Sequence, residues 1–297
     1  MKSKLLYPLF IGFGKQAQEY AKVLLFKKIK IHSVCVTNLK NKEKIFNKYK
    51  IKKRFDSLEV ALANKGYNSI FIFLPFNIIE KKILNILKLS NVPIYSEKPI
   101  ALSYKKIIKI EQFVKRNKKK LYILYNRNHY KIFEVIKKFT RQEKFILRAY
   151  IPERIKKTIN TIDKKFKGNI RYHLTSHWLN FFFTIKKLKN VRPLFRKKDI
   201  LFKSKTTEIL ISPNSKGYIS AIFKSNKHVL FLLTLEQLFV FKIQKKRIKF
   251  LRYYNEFSQN QFKPGVERLI KFISNNKFKS NVSDIKVLYN SIKKLNY

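Results

Sequence analysis

Cysteine is nearly missing from this chain of 297 residues: Cys35 is the only one, so an intramolecular disulfide framework is excluded and a reducing compartment is expected. Packing within the apolar segment Ile31 to Val36 accounts for it. No apolar run approaches the roughly 20 residues needed to span a bilayer. His228 to Phe241 comes nearest and carries Glu236 and Gln237. Met1 to Lys4 followed by Leu5 to Phe13 has the outline of a signal peptide, but Pro8, the lack of a small-residue cleavage site and the run into a Gly-x-Gly turn favour a first buried strand. A soluble, cytoplasmic protein without a membrane partner is expected. The sequence also has no internal repeat, no Pro-rich or Gly/Ser-rich linker and no acidic tail.

Carboxylates are scarce as well. Seventeen acidic residues face 68 basic ones, a formal net charge of +51. Such an excess ordinarily points to nucleic acid or an anionic surface. Here the lysines spread over the whole length, with isoleucine, asparagine, phenylalanine and tyrosine abundant and alanine and glycine rare, the pattern an AT-rich coding sequence imposes on any fold. Arginine, better suited to bidentate phosphate recognition, is much rarer than lysine. No specific nucleic-acid partner is expected, although such a surface favours anionic substrates and adheres to polyanions in a salt-sensitive way.

What is present begins with Gly12-Phe13-Gly14-Lys15-Gln16-Ala17, between a strand-like run (Leu5 to Ile11) and a helix-like one (Gln16 to Phe26). Two glycines there permit a tight turn and close approach of backbone to a pyrophosphate. Further strands are expected at Ile31 to Val36, Ile70 to Leu74, Pro93 to Ser96 and Leu121 to Tyr125. Helices are expected at Leu58 to Asn64, Ile78 to Leu89 and Tyr104 to Asn117. This alternation predicts a doubly wound parallel sheet, a Rossmann domain, over residues 1–126, with Gly12, Pro75, Lys98 and Asn126 on its ligand-binding rim. Beyond Arg127 the pattern changes to one strand (Lys144 to Ile151), one helix (Tyr172 to Ile185) and five closely spaced strands between Thr206 and Leu251. Two helices close the chain, Gly265 to Ser274 and Asp284 to Leu295. Residues 127–297 are therefore expected to form an α+β domain for substrate binding and oligomerisation, with an open, largely antiparallel sheet.

Several motifs in this order resemble the Gfo/Idh/MocA family, named for glucose-fructose oxidoreductase and inositol dehydrogenase. They are Gly12-x-Gly14-x-x-Ala17, Phe55 to Glu59, Asn68 to Pro75, the hallmark Glu97-Lys98-Pro99, Tyr125-Asn126-Arg127 and Ser176-His177-Trp178-Leu179-Asn180, followed by the closing helices from Pro264. The resemblance implies an NAD(P)-dependent enzyme moving a hydride between cofactor and a hydroxyl or ketone of a sugar, cyclitol or nucleotide-linked sugar. It also implies an unusual, cis-type Lys98-Pro99 bond, substrate held between domains, and a homodimer or homotetramer whose open sheet packs on a partner, with His228 to Phe241 as a suitable surface.

Gly12, Phe13, Gly14, Lys15, Gln16, Asn38, Pro75, Asn77, Glu97 and Lys98 are the candidate cofactor-binding residues. Lys98 is also the first catalytic candidate, because an ammonium beside the reacting oxygen stabilises alkoxide character; read alone it is one strand-end lysine among dozens. His177 is the candidate acid–base, its ordinary pKa of about 6.5 suiting proton exchange near neutrality. One helical turn earlier stands His173, where the family usually has an aspartate, and Asn180 replaces a second. The two imidazoles have metal-compatible spacing, but no third ligand accompanies them, so no metal is expected. Asn126, Arg127, His173 and Asn180 join Lys98 and His177 as substrate-binding candidates; Arg127 equally suits pinning two domains together, and Asn180 a helix surface. After the second strand, Val36-Thr37-Asn38-Leu39-Lys40 holds no carboxylate to repel a 2′-phosphate, which tilts the expectation from NAD toward NADP. Two alternatives stand beside the enzyme: a nucleotide-binding pseudoenzyme, and a polyanion-binding protein resting on charge alone.

Overall fold

The computed structural model describes residues 6–153, 155, 170–186, 192–196, 199–245, 247–257, 262–275 and 280–293. The expectations at Met1 to Leu5, Lys246 and Leu295 fall outside them. By packing, the chain forms two units: Met1–Asn126 together with Val266–Lys286, and Arg127–Gly265 together with Val287–Tyr297. The chain thus returns to the first unit after building the second, a crossing that the strand and helix pattern does not announce. No helix among the described residues is long and apolar enough to cross a membrane.

The first unit holds six parallel strands, β1 (Pro8–Ile11), β2 (Ser33–Cys35), β3 (Lys53–Phe55), β4 (Ser69–Ile72), β5 (Ile94–Glu97) and β6 (Leu121–Leu124), in the order β3-β2-β1-β4-β5-β6. That is the dinucleotide-binding order, reversing beside β1. Strands β1, β2, β4 and β6 are buried along their whole length, as expected where helices cover both faces. Helices α1 (Lys15–Phe26), α2 (Glu43–Lys48), α3 (Leu58–Ala63), α4 (Phe76–Leu89) and α5 (Tyr104–Arg116) provide the cover. The hydroxyls of Ser57 and Ser103 cap α3 and α5 by accepting from the amides of Val60 and Lys106. Helix α2 and edge strand β3 are additions to the sequence expectation. Lys53 and Arg54 hide β3 from an apolar pattern, and charge on an edge strand discourages pairing with another chain.

The second unit adds α6 (Lys131–Gln142), β7 (Ile146–Glu153), α7 (Ile170–His173), α8 (Thr175–Lys186) and strands β8 (Arg192–Arg196), β9 (Asp199–Ser204), β10 (Thr207–Pro213), β11 (Ser220–Lys224), β12 (His228–Leu233), β13 (Gln237–Gln244) and β14 (Arg247–Asn255). The sheet order is β14-β13-β12-β11-β7-β10-β9-β8, antiparallel throughout except that β10 runs parallel to β7. The expected meander holds for β11 to β14. It fails at β10, which crosses over to the far side of β7, so the sheet is mixed. One face is apolar and buried, through Leu147, Ala149, Ile151, Ile209, Ile211, Ala221, Phe223, Leu230, Leu232, Leu238 and Val240. Helices α9 (Val266–Ser274) and α10 (Val282–Lys293) close the chain.

Candidate active site

The turn after β1 contains two glycines in different circumstances. Gly12 has φ +85°, and a Cβ there would lie 2.8 Å from the Phe73 carbonyl oxygen. Its amide donates to Cys35 O at 2.8 Å, and Phe73 N donates to Ile11 O at 2.8 Å, so the ends of β1, β2 and β4 are drawn together around it. Gly14 precedes α1 in extended backbone, and a Cβ there would meet nothing within 4 Å. No side chain caps α1 and no acidic residue occupies its first turn. Open space therefore faces unencumbered helix amides, the arrangement that receives a pyrophosphate. Phe13 turns inward against Phe10, Phe46 and Tyr49, leaving only its backbone to face a ligand. Lys15 and Asn38 are exposed; Pro75 precedes α4, and Asn77 is half-buried in its first turn.

At the end of β5, Glu97 accepts from Gln16 Nε2 at 3.1 Å and from the Tyr20 hydroxyl at 3.5 Å. Two residues expected to touch cofactor are thus bonded to one another, tying β5 to α1 beneath the glycine turn. Tyr20, absent from the sequence reading, is fully buried; burial and then the Glu97 charge hold its phenol well above the ordinary range. The Lys98-Pro99 peptide is cis, and Lys98 is half-buried where the strand leaves the sheet.

The remaining candidates belong to the second unit, except Asn126, the half-buried last residue of the first segment. Arg127 stacks on Trp178, its guanidinium carbon 3.7 Å from the ring centroid. Burial depresses the Arg127 pKa, while Tyr130 and Glu236 pull it back. Its Nη1 is sealed from solvent and has no hydrogen-bond partner among the described residues. The expected helix over Tyr172 to Ile185 is broken at Leu174: Leu174 N bonds to Ile170 O, and His177 N reaches only Leu174 O, at 3.0 Å. His173 therefore ends α7 and His177 lies in α8, so the two imidazoles do not share the face of one continuous helix. The His177 and Trp178 rings lie 5.3 Å apart. Asn180 is 5 % exposed, which corrects the helix-surface alternative; its Nδ2 has no partner among the described residues.

Beside this corner lies a group the sequence did not announce. Glu153, at the end of β7, is 1 % exposed, and neither carboxylate oxygen has a hydrogen-bond partner among the described residues. Burial pushes it up to about 7, against the pull of Thr175 and Arg171. Thr175 Oγ1 and Arg171 Nη1 are likewise buried and unbonded among the described residues. Polar groups sealed without partners are the exception in folded proteins and concentrate at functional positions. No motif links Glu153 to α7, so only tertiary packing could reveal it.

Residues 8–125 match the sequence model of an oxidoreductase family described as having an NAD-binding Rossmann fold, GFO_IDH_MocA. Over this domain the chain is similar to the Gfo/Idh/MocA family. No curated protein matches the chain. Among solved structures, it resembles an NAD-binding oxidoreductase from Klebsiella pneumoniae (TM-score 0.77, 12 % identity, covering 98 % of this chain and 97 % of that one). It also resembles the dehydrogenase MviM from Clostridium difficile (TM-score 0.72, 17 % identity, 98 % and 98 %). A super-repressor mutant of Gal80p from Saccharomyces cerevisiae shares the fold (TM-score 0.77, 11 % identity, 98 % and 95 %). The Gly12–Gly14 cradle fits a dinucleotide, because it offers space and uncapped amides where a side chain would intrude.

Proposed function

We propose that this protein transfers a hydride between NAD(P) and a hydroxyl or ketone of a sugar, cyclitol or nucleotide-linked sugar, with the uncapped, sterically open α1 N-terminus at Gly14 as the observation that carries the reading. The cofactor, when bound, gives or takes the hydride. Gly12 and Gly14 would admit its pyrophosphate, and Pro75 and Asn77 would help to hold it, Asn77 toward the nicotinamide ribose. The Lys98 ammonium donates a hydrogen bond to the substrate oxygen, favouring the negative charge that grows there in the transition state. His177 accepts the hydroxyl proton in oxidation and returns it in reduction. Arg127, Asn126, His173 and Asn180 orient the substrate. With no carboxylate following β2, and Lys40 and Lys42 close behind it, NADP is the favoured form.

The test is a titration with NADPH and NADH at moderate salt on wild type and Gly14→Asp, which adds a charge in open space and leaves the fold intact. Saturable micromolar binding, weakened at least tenfold by the substitution, supports the reading. A sugar screen with Lys98→Ala as control then locates turnover. Absence of binding in wild type defeats it.

A second reading, a nucleotide-binding protein without turnover, is favoured by His173 and Asn180 standing where the family resemblance implies aspartates. It predicts cofactor binding with no substrate-dependent change in absorbance. The proposal includes a homodimer or homotetramer built on the open face of the second sheet. There Phe231, Phe239 and Tyr253 stand in one cross-strand row with Ile222, and Phe250 beside Phe241. Tyr253 and Ile222 are each 42 % exposed, and Phe250 is 52 % exposed.

A further inference from the structure

On the edge of the first unit opposite the glycine turn, the residues that precede β1, β2 and β3 enclose a cleft of about 560 Å³ with the last turns of α1. Ala21, Leu25, Ile29 and Ile31 form an apolar lining, and Tyr7 and Tyr49 add aromatic rings. Five lysines line it as well: Lys28, Lys30, Lys50, Lys52 and Lys53. No carboxylate lines the cleft, and none of the five lysines makes an ion pair among the described residues. Lysine is common everywhere in this chain, and several lysines elsewhere do meet acids: Lys22 with Glu19, Lys27 with Glu267, Lys115 and Lys286 with Glu111. Burial and then the Lys53 charge lower the pKa of His32, which also lines the cleft. The Tyr49 side chain is buried, and its hydroxyl has no partner among the described residues.

Two of the lysines hold unfavourable backbone. Lys28 and Lys50 follow the ends of α1 and α2 with φ of 57° and 54°, the left-handed region that glycine usually fills there. Ile29 N reaches back to Leu24 O and Ile51 N to Phe46 O, fixing both corners. Each corner thus fixes an exposed lysine in the cleft lining.

We propose that this cleft binds a nucleoside polyphosphate, at a site distinct from the dinucleotide cradle. Clustered ammoniums supply counter-charge for several phosphates, and the apolar and tyrosine lining takes a base or sugar face. The volume lies in the range of small-molecule sites. A concave site of that size encloses one nucleotide, whereas a polynucleotide needs an open groove that tracks its backbone.

Equilibrium binding of ATP at 0.15 M salt, about physiological ionic strength, tests this on wild type, on Gly14→Asp, and on Lys28→Gly/Lys50→Gly. The last pair removes two charges while relieving left-handed backbone, so the variant folds. The expected result is one ATP per chain, with affinity unchanged in Gly14→Asp and at least tenfold weaker in Lys28→Gly/Lys50→Gly. Adenosine and inorganic triphosphate should each bind at least tenfold more weakly than ATP. Loss of ATP binding in Gly14→Asp would assign it to the cradle and overturn the proposal. So would several ATP per chain, equal retention on a single-stranded oligonucleotide unaffected by the lysine substitutions, or no binding.

Discussion

Gly12 and Gly14 are glycines for separate reasons, and the same substitution separates them. Gly12→Ala places a Cβ 2.8 Å from the Phe73 carbonyl in left-handed backbone. A loss of about 2–4 kcal/mol in chemical denaturation is expected. Gly14→Ala should change stability by no more than about 1 kcal/mol, yet weaken cofactor binding about tenfold by crowding the pyrophosphate. Glu153 calls for a pH experiment. Burial raises its folded-state pKa from 4.5 to about 7, so folding favours its protonated form. Its contribution is present in full below the unfolded value and is lost as pH rises toward 7. Glu153→Gln should therefore be more stable than wild type at pH 8, by on the order of 3 kcal/mol, with the advantage shrinking to nothing near pH 4. Denaturation midpoints at the two pH values check it.

Among the elements, α5 shows what packing adds to pattern. Its apolar residues Ile107, Ile110 and Val114 mark the buried face in advance, but Glu111 sits on that face at 4 % exposure. Ser283 and Lys286 of α10 reach it at 2.9 and 2.7 Å, with Lys115 a turn away at 2.8 Å. Burial alone would raise this carboxyl; the two lysines and the serine prevail and hold it at about 2. The folded-state pKa is depressed, so its stabilisation is present above about 4.5 and disappears as pH falls through about 2. Glu111→Gln should cost about 3 kcal/mol at neutral pH, because two ammoniums lose a buried partner. The gap to wild type should close in acid. Lys118 follows the end of the same helix at φ 48°, another lysine where glycine is customary. Lys118→Gly should raise stability by about 1 kcal/mol, read as a higher denaturation midpoint. The break at Leu174 was not legible, because nothing in Tyr172 to Ile185 carries a proline or glycine to mark it.

For the whole molecule, the open face of the second sheet and the net charge act in opposite directions. Forty-two per cent exposure at both Ile222 and Tyr253, within a row that includes Phe231 and Phe239, leaves a broad apolar surface on a chain of charge +51. Self-repulsion at low ionic strength opposes association across that face, and salt relieves it. Sedimentation should show an oligomer whose dissociation constant falls as salt rises, and Phe239→Glu should yield a monomer with unaltered NADPH affinity. A monomer at every salt concentration would refute that part of the proposal.

Sequence alone determined the first unit's sheet apart from edge strand β3, because buried parallel strands need continuous apolar runs and crossover helices leave a 3.6-residue signature; it also determined the place of the glycine turn and of Lys98. Tertiary structure alone decided that Glu97 is spoken for by Gln16 and Tyr20, that Glu153 lies sealed near Thr175 and Arg171, and that β10 turns back beside β7. It also decided that Val266–Lys286 rejoins the first unit. Each of these depends on residues tens to hundreds of positions apart, and periodicity reports which face a residue occupies without naming what it will meet there.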